Sequence, residues 1–401
     1  LLIGPDTVKK ATRQFTKLHN TRLILKAIYN NRGEISRAEL SRITQLTPAT
    51  VSDLVGDLVG SGLIKEVGLG TSTGGKPPIL LSFDPDSRQM VCIDLSGDGF
   101  LGAIVNLQGD IITRKKVSVQ NCVGQEALEA TYALLDELIQ ACFAPILGIG
   151  VGTPGLVNVQ KGIIRKALNL GWHELPLKSL LEERYHHTVY IANDCHVAAL
   201  AEYAYGSGRE EDNLLVIKIS QGIGCGIILN GAPYYGDGFG AGEIGHVTIT
   251  DDGPRCTCGN IGCLEALAST RALIQKVRQQ VCNHPDSSLY NIPLNEINLP
   301  KIISAFQQGD IFITELIGQI GRYLAKSIAY LVGLLNVHHI VIAGDFEGFG
   351  PFFLDVIRHE LPYHVLPVMA EHAELTYSSL GENIVLLGAA ALVLAEELDL
   401  P

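Results

Sequence analysis

Long apolar runs are missing from this sequence. No stretch reaches the ~20 residues a helix needs to cross a bilayer, and no cleavable signal pattern stands near Leu1. The chain is therefore expected to work in the cytoplasm; because it starts at Leu1 without Met, a few further residues are expected before it. Cysteine is sparse, nine in 401 residues, which argues against a disulfide scaffold. Three of them, Cys256, Cys258 and Cys263, stand together, and in a reducing compartment that clustering suits metal ligation better than pairing. Tryptophan is represented by Trp172 alone. Positive charge is in deficit: 30 Lys and Arg face 42 Asp and Glu, a net charge of −12, which for the chain as a whole speaks against a polyanionic partner.

The deficit is not uniform. Residues 1–80 carry 11 basic against 6 acidic side chains, while the remainder carries 19 against 36. A basic head on an acidic body points to a polyanion met by the head alone.

Within the head, Leu23, Ile24, Ala27 and Ile28 recur at helical spacing and stop before Asn30-Asn31-Arg32-Gly33. Ser36, with Glu39 three residues on, reads as a capping box opening a second helix that carries Leu40 and Ile43. After a turn at 44–46, Thr47 caps a third helix with Pro48 at its first position and Val51, Leu54, Val55, Leu58 and Val59 on its buried side. This is the layout of a helix-turn-helix reader of double-stranded operator DNA. Thr47, Pro48, Ala49, Thr50 and Ser52 lie at the exposed start of the reading helix, and Arg37 and Arg42 are placed to reach phosphates. An ordinary three-helix packing unit has the same pattern, and Asp53 and Asp57 would repel phosphate if turned to DNA; the basic balance favours the reader. Residues 62–66 read as the first strand of a wing. Gly70–Pro77 nearly spells a phosphate-binding loop, but Pro77 stands where a metal-binding Ser or Thr is needed, so it is expected to be wing tip and linker, with Lys76 close to DNA. The winged domain is placed at 1–70 and the linker at 71–88.

From residue 89 apolar, β-prone runs (90–95, 102–106, 146–151, 189–192, 214–219, 225–229, 340–343) alternate with helical stretches (125–142, 177–185, 197–205, 270–282, 311–335, 388–398). That alternation predicts an α/β body with a mixed sheet in each of two lobes, 89–205 joined by 381–401, and 206–380.

Cys256-x-Cys258-x-x-x-x-Cys263, with His246 ten residues upstream, offers three thiolates and one imidazole. These close a tetrahedral shell that leaves no position for water, the structural kind of Zn2+ site. Glu243, in the glycine-rich run Gly240–His246, and Glu265, two residues past the last cysteine, suit bidentate hydrogen bonding to neighbouring sugar hydroxyls, although either alone reads as a solvated surface residue. Asn193-Asp194 follow a strand and open a helix, where open α/β sheets bind ligands. Asp194 there suits a general base, and a helix N-cap accounts for the pair equally well.

Together, Gly222-Ile-Gly224-Cys-Gly226-Ile, Gly242-Glu243-Ile-Gly-His246 and Cys256-Thr-Cys258-Gly-Asn-Ile-Gly-Cys263-Leu-Glu265 resemble the motifs of the ROK family of repressors and sugar kinases. The similarity covers nearly the whole chain, and the N-terminal helix-turn-helix places it with the family's repressors. The resemblance implies an actin-like (sugar kinase/ribonuclease H-like) two-lobed body with an N-terminal winged helix-turn-helix domain, assembled as a homodimer or homotetramer. It implies sugar contacts at Asn193, Asp194, Glu243, His246 and Glu265, with His246 also on zinc, and Asp194 in the place of the kinase base. Asn169-Leu-Gly-Trp172 looks like the segment leading to the sugar cleft, which puts Trp172 near it.

Departures from the kinase pattern fall on the nucleotide side. Asp94-Leu95-Ser96-Gly97-Asp98 replaces Asp-x-Gly-Gly-Thr, Ser220-Gln221-Gly222 replaces Gly-Thr-Gly, and Asp345 follows Gly344 where a glycine pair is usual. A carboxylate in a phosphate loop repels what the loop should cradle. Cys195-His196 replaces the usual small residue and Asn, which bears on the identity of the sugar. The expectation is a sugar-metabolism or transport regulator, a repressor with Asp194 vestigial, controlled by a sugar or sugar phosphate that closes the cleft and shifts the spacing of two heads. Its rivals are an ATP-dependent sugar kinase with a DNA-binding head and a repressor governed by a protein partner.

Overall fold

The computed structural model describes residues 12–31, 33–71, 77–97, 99–119, 122–209 and 211–400. Lys76 and Asp98, named above, lie outside them. The head comprises α1 (Arg13–Asn31), β1 (Ile35–Ser36), α2 (Arg37–Thr44), α3 (Pro48–Gly60), β2 (Ile64–Leu69) and β3 (Ile79–Phe83). The capping box forms: Ser36 Oγ accepts from the Glu39 N–H at 3.3 Å while Glu39 Oε2 accepts from the Ser36 N–H at 2.9 Å. Thr47 Oγ1 caps α3 by accepting from the Thr50 N–H at 3.2 Å. The apolar stripe of α1 is rotated by one residue from expectation. It buries Ile24, Leu25, Ile28 and Tyr29 and leaves Leu23 36% exposed. Ile43 faces solvent, so α2 is held by Leu40.

β3 falls within the stretch expected to be linker. It pairs antiparallel with both β2 and β1, with Leu81 fully buried, so the winged sheet extends to Phe83. What remains, 84–88, is a short turn tied to the body: the Leu107 N–H donates to the Pro85 carbonyl at 2.9 Å and Asn106 Nδ2 donates to Asp86 Oδ1 at 3.0 Å. The apolar core of the head is continuous with that of the first lobe.

The first lobe runs through β4 (Gln89–Asp94), β5 (Gly99–Asn106), β6 (Ile111–Ser118), α4 (Gln125–Ala141), β7 (Ile146–Thr153), a small sheet of β8 (Leu156–Asn158), β9 (Ile163–Ala167) and β10 (Trp172–Leu175), then α5 (Leu177–Tyr185), β11 (Val189–Asn193) and α6 (Asp194–Tyr205). Its main sheet has the order β11-β7-β4-β5-β6, with β11, β7 and β4 parallel and the β4–β5–β6 meander antiparallel. β4 and β5 are buried along their whole lengths, as continuous apolar runs require.

The second lobe comprises β12 (Leu214–Ile219), β13 (Ile223–Leu229), β14 (Ala232–Pro233), α7 (Leu264–Ala268), α8 (Thr270–Gln280), α9 (Leu299–Gln307), α10 (Ile311–Leu335), β15 (His339–Gly344), α11 (Gly350–Glu360), α12 (Pro367–Glu371) and β16 (Glu374–Tyr377). Its sheet order, β14-β13-β12-β15-β16, repeats that of the first lobe: an antiparallel meander followed by two parallel strands. The last helix, α13 (Ile384–Leu398), returns to the first lobe and lies along α6. Small residues allow the approach; a Cβ on Gly388 would strike the Val197 carbonyl. Among the described residues no helix is long and apolar enough to cross a membrane.

Candidate functional site

Between the two lobes lies a cleft of about 370 Å³. Its floor is made by the carboxyl ends of β4, β11 and β12, and one wall by the loop that joins β14 to α7. Asn193, Asp194, Glu243, His246 and Glu265, the five residues expected to contact sugar, all line it. Residues scattered over more than 70 positions are thus brought to one surface by the β11–α6 junction and by the loop from β14 into α7.

Asn193 and Asp194 divide the two readings left open by the sequence. Asn193 is the N-cap of α6: its Oδ1 accepts from the Cys195 N–H at 2.8 Å, and its Nδ2 donates to the Gly155 carbonyl at 3.0 Å. Asp194, the first helical residue, is left to face the cleft and is ion-paired with Lys218, Nζ to Oδ2 2.8 Å. Lys218 was not singled out from the sequence. A lysine inside the apolar strand Leu214–Ile219 is the signal that could have found it, because such a residue is seldom buried without a partner.

Glu243 and His246 hang on one short turn, Ile244–His246. Gly242 precedes it at φ +84°, where a Cβ would run into the Cys225 carbonyl, so the chain turns there only with glycine. Burial pushes the Glu243 carboxyl above its ordinary range, the nearby Asp194 and Glu265 adding to this while His246 pulls it down. Glu265, at the start of α7, is buried and accepts hydrogen bonds from Arg271 Nη2 (3.2 Å) and Thr257 Oγ1 (3.4 Å).

Behind Glu243, the donor atoms of His246, Cys256, Cys258 and Cys263 all lie within 4.8 Å of one another. Cys258 Sγ is 3.7 Å from Cys263 Sγ, and Cys256 Sγ is 3.6 Å from His246 Nδ1. A tetrahedral shell with metal–sulfur bonds of about 2.3 Å has edges of about 3.8 Å, so these four residues fit a metal ion. His246 presents Nδ1 to the sulfurs and Nε2 to the cleft side, 3.9 Å from Glu243, which reconciles its two expected roles.

His196, the departure beside Cys195, is buried. Its Nε2 hydrogen-bonds the Ala241 carbonyl at 2.9 Å and its ring sits edge-on to Tyr235, so it fixes the loop leading to Glu243. Asn169 lines the cleft, but Trp172 does not. The indole is 5% exposed in the core of the first lobe, its Nε1 donating to the Gly124 carbonyl, so the expectation that it stands near the ligand is corrected. The reason is strand alternation: Trp172 opens β10 and turns inward. Asp345 accepts from Thr270 Oγ1 at 2.7 Å.

In the head, Arg42, Thr47, Pro48, Ala49 and Ser52 are exposed and Thr50 is half-buried beneath its cap. Arg37 is ion-paired with Glu66 on β2 at 2.9 Å. Asp57, a possible repulsive group, pairs with Lys17 on α1 at 2.7 Å.

Comparison with known proteins bears on both parts. The family model described as ROK family matches residues 90–396, and one described as winged helix-turn-helix DNA-binding matches residues 18–65. A xylose repressor from Caldicellulosiruptor bescii is 31% identical over 390 residues, covering 95% of this chain and 97% of its own. The crystal structure of a ROK family transcriptional regulator, a homologue of the Escherichia coli Mlc protein, superposes with a TM-score of 0.85 at 28% identity, covering 96% of this chain and 98% of its own. A ROK family glucokinase from Streptomyces griseus, in complex with glucose and AMPPNP, superposes with a TM-score of 0.70 at 27% identity and covers 76% of this chain and 98% of its own.

Proposed function

This chain belongs to the ROK family, and on that premise we propose that it is a DNA-binding transcriptional repressor of sugar-utilisation genes, whose kinase-like body binds a sugar without phosphorylating it. The observation that carries the reading is the union, in one chain, of a winged head with the start of α3 bare to solvent and a cleft where five polar residues of sugar-binding type meet. The relative named xylose repressor aligns along almost the entire chain, head included, which supports a neutral monosaccharide, D-xylose first, as effector. Cleft carboxylates at Glu243 and Glu265 suit hydroxyl donors and disfavour a phosphorylated sugar. The His246, Cys256, Cys258 and Cys263 set is assigned to structural Zn2+, whose chemistry when bound is to hold that loop closed; His246 and Glu243 then present fixed polar atoms to the cleft.

The helix α6 supplies a route from cleft to head. It starts at Asp194 in the cleft and ends at Tyr205, which lines a second cavity of about 410 Å³ together with Tyr29 and Phe83 of the head. A shift of the Asp194 end reaches the head through one rigid rod about 18 Å long. Two heads on a homodimer would each take one operator half-site in the cytoplasm, and sugar binding would lower operator affinity through its preference for one lobe arrangement.

The kinase reading is favoured by Asp194, which faces the cleft from the place of the family base, and by the likeness to a glucokinase. The test is calorimetric titration of the full chain with D-xylose, D-glucose and N-acetylglucosamine without nucleotide, followed by operator binding with and without the sugar that binds. Saturable sugar binding that weakens operator binding, with no ADP formed when ATP is added, supports the repressor. ADP formation that depends on sugar establishes the kinase, and silence to every sugar favours control by a protein partner.

A further inference from the structure

The Lys218 side chain sits at the meeting point of four oxygen-bearing residues. Asp94 and Ser96 come from the end of β4 and the turn after it, Asp194 from the start of α6, and Ser220 from the turn after β12. Nζ lies 2.8 Å from Asp194 Oδ2, 3.2 Å from Ser96 Oγ and 3.4 Å from Ser220 Oγ. Ser96 passes the contact on, its N–H and Oγ donating to Asp94 Oδ1 at 2.8 and 2.6 Å. An ammonium has three N–H donors, and these three partners use all of them.

We infer that Lys218 is the resident cation of the cleft, standing where Asp94, Asp194 and the two serines would otherwise hold a divalent metal ion, and tying the lobes together. The donor set is two carboxylates and two hydroxyls, the all-oxygen kind that hard cations such as Mg2+ and Mn2+ take. The two carboxylates belong to the first lobe and the lysine to the second, so the charge balance itself spans the cleft. Asp94, Asp194 and Lys218 are buried and the two serines half-buried, and two carboxylates in such a place demand a counter-charge. Burial alone would favour a neutral lysine, but the neighbouring Asp194 and Asp94 outweigh it and hold the ammonium charged. With Lys218 in place, Asp194 Oδ2 is taken up by the ammonium rather than open to a metal ion.

This goes beyond the repressor assignment and is read out without sugar or DNA. Full-length protein, loaded with zinc so that the cysteine cluster is filled, is titrated with Mn2+ and free Mn2+ is followed by electron paramagnetic resonance. The wild type should leave Mn2+ free. Lys218→Ala should take up one Mn2+ per chain with affinity about tenfold tighter or more, Mn2+ should raise its melting temperature, and a further Asp194→Asn should abolish both effects. Lys218→Met, which keeps the stem, is the second variant, expected to respond in the same direction. Recovery of a folded state by Mn2+ in either variant supports the inference. Uptake by the wild type that Asp94→Asn removes overturns it, as do folded variants that bind Mn2+ no better than the wild type, or variants that stay unfolded in its presence.

Discussion

The imidazole of His246 stands between two systems, with Nδ1 3.6 Å from the Cys256 sulfur and Nε2 3.9 Å from Glu243 Oε2 on the cleft side. A single ring thus couples the cysteine cluster to the wall of the cleft. If the loop 246–263 loses its closure, the ring that orients beside Glu243 is lost with it. The cluster has little apolar core of its own to fall back on, since Cys258 is exposed and only Cys256 and Cys263 are buried.

The first prediction concerns that coupling. Cys258→Ser should reduce bound zinc from one per chain to a small fraction and weaken sugar binding about tenfold or more, while operator binding of the sugar-free protein persists because the apolar core that the head shares with the first lobe includes none of the cysteine loop. Metal analysis, calorimetry and operator titration on one preparation check this. Unchanged sugar affinity after zinc loss would show the loop to be independent of the cleft.

Glu243 should act on the sugar directly. A hydrogen bond from a hydroxyl to a carboxylate is worth roughly 1.5–3 kcal/mol, so Glu243→Gln should weaken sugar binding by about tenfold to a hundredfold. Zinc content and melting temperature should stay near wild type, because Glu243 supplies no donor to the cluster. The operator complex of this variant should then resist the sugar. Calorimetry and a sugar-release titration on operator DNA measure both.

Much of this site was legible in the sequence, and the part that was not has a physical reason. The five residues expected in the cleft, and the four His and Cys that the fold clusters, were readable because most sit at a strand end, a helix start or a glycine-marked turn, where residue type and spacing carry the chemistry. Lys218 was not, since strand patterning treats a lysine as an outward-facing residue and only the converging carboxylates reveal that it points inward. β3 was hidden by Pro77-Pro78, which read as linker, and by its dependence on pairing with β2, a contact that local sequence does not show. β6 is an edge strand whose Arg114-Lys115-Lys116 run is exposed, so it lacked the apolar signal that found β4 and β5. Trp172 failed in the other direction: proximity in sequence to Asn169 did not survive the inward turn at the start of β10.

In the head, Arg37 is ion-paired with Glu66 at 2.9 Å. An exposed ion pair of this kind contributes below about 1 kcal/mol to stability, so Glu66→Gln should leave the melting temperature nearly unchanged. Freed, Arg37 can take a phosphate. Operator affinity should rise a few-fold and the slope of log affinity against log salt should steepen by about one. Arg42→Ala, which removes an exposed cation, should lower affinity for operator and random DNA alike. Salt-dependent fluorescence anisotropy on both DNAs measures these; a slope unmoved by Glu66→Gln would remove Arg37 from the phosphate contacts.

His196 gives the protein a pH dependence whose sign follows from its surroundings. Burial holds its imidazole below the ordinary value of 6.5, the Ala241 carbonyl and Asp194 opposing that only in part. With Nε2–H donating to the Ala241 carbonyl, Nδ1 is buried without a partner, so a second proton would create a buried N–H with nothing to accept it. The unfolded chain takes up that proton near 6.5 and the folded chain only at lower pH. The stabilising contribution is therefore whole above 6.5 and is lost as pH falls from there through the folded value. His196→Asn, which cannot titrate, should lose less melting temperature than the wild type between neutral pH and the acid side of this window. The difference between the two curves cancels the carboxylates they share, Glu243 among them, and isolates the imidazole. Parallel curves would mean that the ring is protonated as readily in the fold as outside it, and that the Ala241 tie survives the charge.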